Sequence, residues 1–235
     1  MNKQQFIIKI SVLILILSAT GCRYPRKAEI NICSHKIIPR ADSLYQQAIA
    51  LMTASYDIDS SYKCIQILNE ALLIDSLNPD YYGMKAKLFS ELGELDSALA
   101  IQTTALERQA ITGEYLFQLG LLQAAKELNE EAHVSFGKAR DYLQAVLERY
   151  PDSLRAFIYA EAANALYESQ DSLFMKDINE IRKRFPNRLM DIEMTRRVSP
   201  CSLIKQIRNI YIQKEYAIDF DLDSLVNETA KCTTN

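Results

Sequence analysis

The sequence has no tryptophan, two histidines, and only six glycines and six prolines in 235 residues. So few glycines and prolines argue against an all-β protein, whose many turns draw on both, and suit long helices. Basic charge is short as well: 27 Lys and Arg stand against 30 Asp and Glu, a net charge of −3. A nucleic-acid binder needs a basic face to displace counterions, so that class is set aside. Phosphate loop, nucleophile elbow and zinc-protease motif are all missing. His133 follows Ala132 on an apolar helical stripe and no ligand set accompanies it, so it reads as a structural residue and no metal is expected there. His35, beside Cys33, has no signalled partners either. Asp219, Asp221 and Asp223 alternate like a calcium loop, but Ser224 replaces the required Gly and Ala230 the required Glu. A loop capping a helix at 222–230 is the better reading. Glu130-Glu131 and the Asp57/Asp59 pair fit solvated carboxylates near helix N-termini.

The N-terminal apolar run, Phe6 to Leu17, covers twelve residues, whereas crossing a bilayer takes ~20. Lys3 and Lys9 flank or interrupt it, and Ser18-Ala19-Thr20-Gly21-Cys22 follows. Charged, apolar and then small residues in that order make a secretory signal, expected over 1–21. The ending Gly21-Cys22 resembles the lipobox of bacterial lipoproteins, although Ala19 stands where Leu is usual. That resemblance implies cleavage before Cys22 and diacylglycerol on its thiol, with no cofactor beyond the covalent lipid. Each buried CH₂ of such a chain contributes ~0.8 kcal/mol, so two or more chains hold a protein firmly.

The alternative is an ordinary signal with Cys22 as one of five disulfide-capable cysteines. Without Cys22 there remain Cys33, Cys64, Cys201 and Cys232. Cys64 falls on a buried helical face and is a poor candidate; Cys201 with Cys232 is possible, and connectivity is not readable from sequence. Some surface-displayed lipoproteins of the Bacteroides group carry acids just after the cysteine. Here Arg23-Tyr24-Pro25-Arg26-Lys27 follows, which favours the periplasmic face of the outer membrane. Residues 22–40 then form a lipidated, basic linker: Arg23, Arg26, Lys27, Lys36 and Arg40 face only Glu29. Extended, it reaches ~60 Å at ~3.3 Å per residue. Everything beyond it is acidic, with a net charge of −9.

A period of thirty-four residues governs the middle of the chain. Met52, Ala86 and Gly120 share one phase, Cys64, Ala98 and Ala132 a second, and Ala71, Ala105 and Ala139 a third. Two helices approach closely only where side chains are small or adaptable, and a bulky residue there costs ~1–3 kcal/mol. Apolar stripes at helical spacing surround these columns: Tyr82, Phe89 and Leu92, then Leu95, Leu99 and Leu106, then Leu116 and Leu119. Gly93 lies where the chain must turn.

This pattern resembles the tetratricopeptide repeat, a helix–turn–helix unit of the same length. The resemblance divides 41–188 into repeats at 45–78, 79–112 and 113–146 and a degenerate one at 155–188. Leu68, Phe136 and the pair Leu119-Gly120 match the family pattern; Gln102 departs from it. In the fourth unit Ala162 and Pro186 match, whereas Phe174 and Ile181 replace the small pair. The implied fold is all-α, a right-handed superhelical solenoid of antiparallel helix pairs. Residues 189–235 are expected to supply a helical cap on the last repeat, through Ile204, Ile207, Ile210 and Tyr211, and a tail.

In that family the first helix of each pair lines a concave surface that binds extended or helical segments of partners. The residues so placed are Ile49, Thr53, Tyr56, Gly83, Lys87, Ser90, Phe117, Leu121 and Ala124. Phe117 and Leu121 are equally readable as buried by neighbouring helices. Ile49 and Thr53 disfavour capture of a C-terminal carboxylate by paired Lys and Asn. The expected function is a membrane-anchored, non-enzymatic scaffold for a protein or peptide partner. The alternatives are a peptide- or glycan-binding accessory lipoprotein of an envelope uptake or assembly system, using aromatics such as Tyr56, Phe117, Tyr81 and Tyr82, and an enzyme with a site in 189–235. Cys22→Ala is expected to release the protein from the membrane fraction on cell fractionation; a variant that stays with the membrane removes the anchor assignment.

Overall fold

The computed structural model describes residues 36–55, 57–108, 110–188, Ile192 and 199–216. The signal stretch, Cys22, Cys33, His35, Tyr56, Asp219, Asp221, Asp223, the expected helix at 222–230 and Cys232 lie outside the described residues. Among the described residues there are nine α-helices and no strands. They are α1 (Pro39–Ala54), α2 (Ile58–Ile74), α3 (Pro79–Glu91), α4 (Leu95–Glu107), α5 (Gly113–Ala125), α6 (Asn129–Arg149), α7 (Leu154–Tyr167), α8 (Asp171–Arg184) and α9 (Pro200–Tyr216). The first eight form four antiparallel pairs stacked in chain order. The described residues form an all-α solenoid of helix pairs.

Local chemistry sets where the helices begin. Asp57 caps α2 by accepting from Ser60 N at 2.7 Å, and Thr112 caps α5 by accepting from Tyr115 N at 3.2 Å. Asn78 and Ser153 do the same for α3 and α7. Each side chain satisfies one of the backbone donors that a helix start leaves free. Pro79 supplies the fixed φ suited to a first helical turn. Glu130 and Glu131 fall in the first turn of α6, where the helix dipole favours negative charge.

One motif, used three times, ends the first helix of a pair. Gly93, Glu127 and Ser169 have positive φ. The next residue's N–H then bonds five residues back: Glu94 to Phe89, Leu128 to Gln123, Gln170 to Ala165. This satisfies carbonyls at the helix end and reverses the chain in three residues. Glycine is required at the first of these turns for a second reason. A Cβ on Gly93 would lie 2.9 Å from Lys214 Cβ and 3.1 Å from Ile210 O.

The periodic small residues sit at the contacts between helices. Met52, Cys64, Ala71, Ala86, Ala98, Ala105, Gly120, Ala132 and Ala139 are all buried. Helix α5 lies very close to α6: a Cβ at Gly120 would stand 2.5 Å from the Phe136 ring, and one at Gly113 2.4 Å from Leu143 Cγ. Cys64 is a free thiol that donates to Ala48 O at 3.3 Å. Helix α6 is longer than the others, so α7 starts 41 residues after α5 rather than 34. In the last pair Phe174 and Ile181 are fully packed in the core with Ile192. His133 stacks on Tyr167 at 4.3 Å between ring centres, with the Arg140 guanidinium 4.2 Å from the centre of the same ring.

Gln102, out of pattern by the family resemblance, has a physical explanation. It is fully buried and donates to Gln118 Oε1 at 3.1 Å, and Gln118 in turn donates to Gly83 O at 3.2 Å. An amide chain thus ties α4 to α5 and α5 to α3 where a large apolar side chain would merely fill space. Gly120→Ala is expected to destabilise the fold by ~1–3 kcal/mol through overpacking against Phe136. Gly83→Ala, whose nearest neighbour would be 3.6 Å away, is expected to be neutral or stabilising, since alanine is the better helix former. Urea unfolding of both variants checks the pair, and equal effects would sink it.

Candidate protein-binding groove

Helices α1, α3, α5 and α7 form the inner wall of the solenoid. Between α1 and α3 the contact is Tyr45 against Tyr81, 5.1 Å between ring centres. Tyr81 and Tyr82 are both buried, and Tyr82 donates to Ser76 O at 3.0 Å. They face the packing between helices, so neither joins a ligand-binding aromatic surface.

The groove is occupied by the chain itself. Helix α9 touches α7 and α8, as a cap would, but it also runs back along α5 and α3. This extends the sequence expectation: the helix lies along the inner wall of three pairs rather than only closing the last one. From Pro200 to Gln213 none of its residues is exposed. Ile204 is buried, and Leu203, Ile207 and Tyr211 pack against the same core cluster as Phe117, Leu121 and Leu122.

Polar contacts fix the register of α9 at the turns. Arg208 donates to Ala124 O at 2.8 Å and to Ala125 O at 3.3 Å. These are last-turn carbonyls of α5, where positive charge also complements the helix dipole. The same guanidinium lies 3.5 Å from Glu127 Oε1. One turn of solenoid earlier, Lys214 bonds Glu94 Oε1 at 2.7 Å, and Tyr62 of α2 donates to the same oxygen at 2.5 Å. Lys126 is paired with Asp96 and lies over the Tyr211 ring at 5.4 Å.

A cavity of about 160 Å³ remains between α9 and the inner wall. Tyr45, Met84, Phe117, Leu121 and Tyr159 give it apolar and aromatic sides, and Leu203, Ile207 and Ile210 of α9 close it. Four of its five charged groups, Asp80 being the fifth, come in opposite pairs. Lys87, only 4 % exposed, has Nζ 3.4 Å from Glu91 Oε1, and Arg155 Nε is 3.2 Å from Glu114 Oε1. Burial pushes the Asp80 carboxyl above its ordinary pKa; Arg155 partly offsets this, and Glu114 and Asp42 add to it. Burial also pushes the Tyr159 hydroxyl up to about 12, again tempered by Arg155. Apolar walls with a few placed charges suit the holding of another molecule's side chains.

The sequence-assigned residues fall in different places. Gly83, Lys87, Ser90, Phe117 and Leu121 line the cavity. Phe117 and Leu121 are also buried, Phe117 making an edge contact with Tyr159 at 5.4 Å. Ala124 is buried and contributes its carbonyl to Arg208. Ile49 is half-buried on the core of the first pair. Thr53 is exposed and donates to Ala50 O at 2.8 Å. Sequence reasoning missed Glu94, Arg155, Tyr159, Arg208 and Lys214. The one signal available was the spacing of Arg208 within the Ile204–Tyr211 stripe. Cys201, at the start of α9, is disulfide-bonded. Among the described residues no group of three His, Cys, Asp or Glu is placed to hold a metal ion, and no helix is long and apolar enough to cross a membrane.

No protein-family model matches the chain, and no curated protein does. Among solved structures it is similar to a protein named MamA, with 13% identity, over 64% of this chain and 75% of that one, at a TM-score of 0.39. It is also similar to PilF of Pseudomonas aeruginosa, with 18% identity, over 80% and 81% of the two chains, at a TM-score of 0.46.

The Glu94 latch carries a pH dependence. Burial raises its pKa, but the hydrogen bonds from Lys214 and Tyr62 outweigh it and leave the net value below the ordinary 4.5. A carboxylate depressed on folding stabilises above its unfolded pKa, and that stabilisation is lost as pH falls through the folded value. Thermal unfolding from neutral pH to the acid side of 4.5 is therefore expected to show a steeper loss in the wild type than in Glu94→Gln. Parallel curves would remove Glu94 from the latch.

Proposed function

We propose that the chain is a membrane-tethered scaffold that holds a protein partner, or a segment of one, in the concave groove of its helix pairs. The observation that carries this reading is that the groove accommodates a helix. Helix α9 lies in it with an apolar seam and with charged contacts at two turns. A surface that does this for a segment of its own chain has the shape and chemistry to do it for another.

The tether is part of the proposal and rests on the N-terminal sequence. A secretory signal over 1–21, lipid on Cys22 as the sole attached group, and a basic linker to residue 40 would keep the solenoid on the periplasmic face of the outer membrane. The acidic solenoid would then sample partners well beyond the headgroups. The groove offers no basic face to nucleic acid; the class of partner is protein.

Envelope extracts passed over the intact and the lipid-free protein test this. A specific protein is expected in both eluates, with cross-links to α3, α5 and α7. Recovery of no partner by either form, or cross-links confined to α4, α6 and α8, would overturn it.

A further inference from the structure

We propose that the groove is a receptor for a basic amphipathic helix, and that α9 is its internal stand-in, which an external helix of the same pattern displaces. This rests on the groove reading above and names the partner's chemistry.

Charge gives the first argument. Residues 41–188 hold 22 acidic and 14 basic side chains, whereas α9 holds Lys205, Arg208 and Lys214 against Glu215 alone. A basic helix therefore sits in an acidic receptor, which favours both encounter and register.

Register gives the second. Ile204, Ile207 and Tyr211 recur at the spacing by which a helix presents one face to a groove. Arg208 stands between them and donates to the α5 carbonyls, and Lys214 reaches Glu94 at the preceding pair. Together these define a readable pattern: apolar residues at i, i+3 and i+7, an arginine at i+4 and a lysine at i+10.

The quality of the fit gives the third. A permanent core helix is sealed against its neighbours and has its buried polar atoms satisfied. Helix α9 leaves the cavity of about 160 Å³ along its seam. Gln206 Oε1 and Gln213 Nε2 are buried without hydrogen-bond partners, and Lys87 Nζ on the groove floor donates no hydrogen bond and has only its ion pair with Glu91. A segment that filled the cavity, paired Lys87 and buried no unpaired amide of its own would bind in preference to α9. Covalent continuity keeps α9 at high effective concentration, so displacement selects for such a segment rather than for any apolar helix.

The test uses a fluorescent peptide of residues 199–216 with Ser in place of Cys201, and the full chain as receptor. Two receptors are compared by fluorescence anisotropy: wild type, and Arg208→Ala/Lys214→Ala, whose own α9 has lost its latches. Lys214→Ala alone serves if the double variant does not unfold cooperatively. The peptide is expected to bind the variant at least tenfold more tightly than the wild type. A peptide carrying Arg208→Ala is expected to lose at least tenfold on the same receptor. No binding to either receptor, or equal binding to both, would overturn the proposal and make α9 a fixed brace. Should that happen while an envelope partner is still cross-linked to α3, α5 and α7, the scaffold reading stands and only the helix-displacement reading falls.

Discussion

The close approach of two helices at a column of small side chains is the constraint on which everything else here depends. Where Gly120 meets the Phe136 ring there is no room for even one carbon. Alanines at 86, 98, 105, 132 and 139 are fully buried at the other contacts. Because these columns repeat at a fixed interval through the first three pairs, each of those is set against the next by a similar offset. A stack of similar offsets is a curved wall. The groove follows from steric exclusion inside the pairs, before any groove residue is chosen.

The seat of α9 follows from that wall. Its apolar stripe is buried by pairs two to four together, and no single pair supplies the whole surface. Its charges meet the solenoid at the turns, where a helix end presents unpaired carbonyls or a free acidic side chain. Arg208 uses the first kind and Lys214 the second. The turns therefore serve twice: they reverse the chain, and they offer contacts at intervals a straight helix can span.

The solenoid was legible in the sequence because close packing is a local requirement that repeats. Gly120 and the alanine columns announce it residue by residue. The exact starts of helices were also legible wherever a capping residue stood, as at Asp57. The location of α9 was not. The stripe through Ile204 and Tyr211 says that the helix has an apolar partner, but a period of 3.6 carries no address for that partner. The latch residues were hidden for a similar reason: Glu94 and Lys214 are 120 positions apart, and each alone reads as a solvated charge. At the cavity, Lys87, Ser90, Phe117 and Leu121 are brought together as inner-wall positions. Thr53 turns outward and bonds its own helix. Gln102 looked like a defect in the pattern because its function lies in a chain of amides through Gln118 to Gly83, which no spacing rule encodes.

Gly93 joins two demands at one position. Its backbone must take a left-handed conformation to end α3, and its missing side chain must clear Lys214 and Ile210. Glu127 and Ser169 meet the first demand at the equivalent turns without being glycine. At those sites natural variation is free to exchange one residue for another at the expense of a little strain. At 93 it is not, because the second demand comes from a segment more than a hundred residues downstream. Lineages of this protein that keep α9 in place are therefore held to glycine at that turn. A lineage that lost the helix would be released from the clearance requirement first, and substitution there would record the loss.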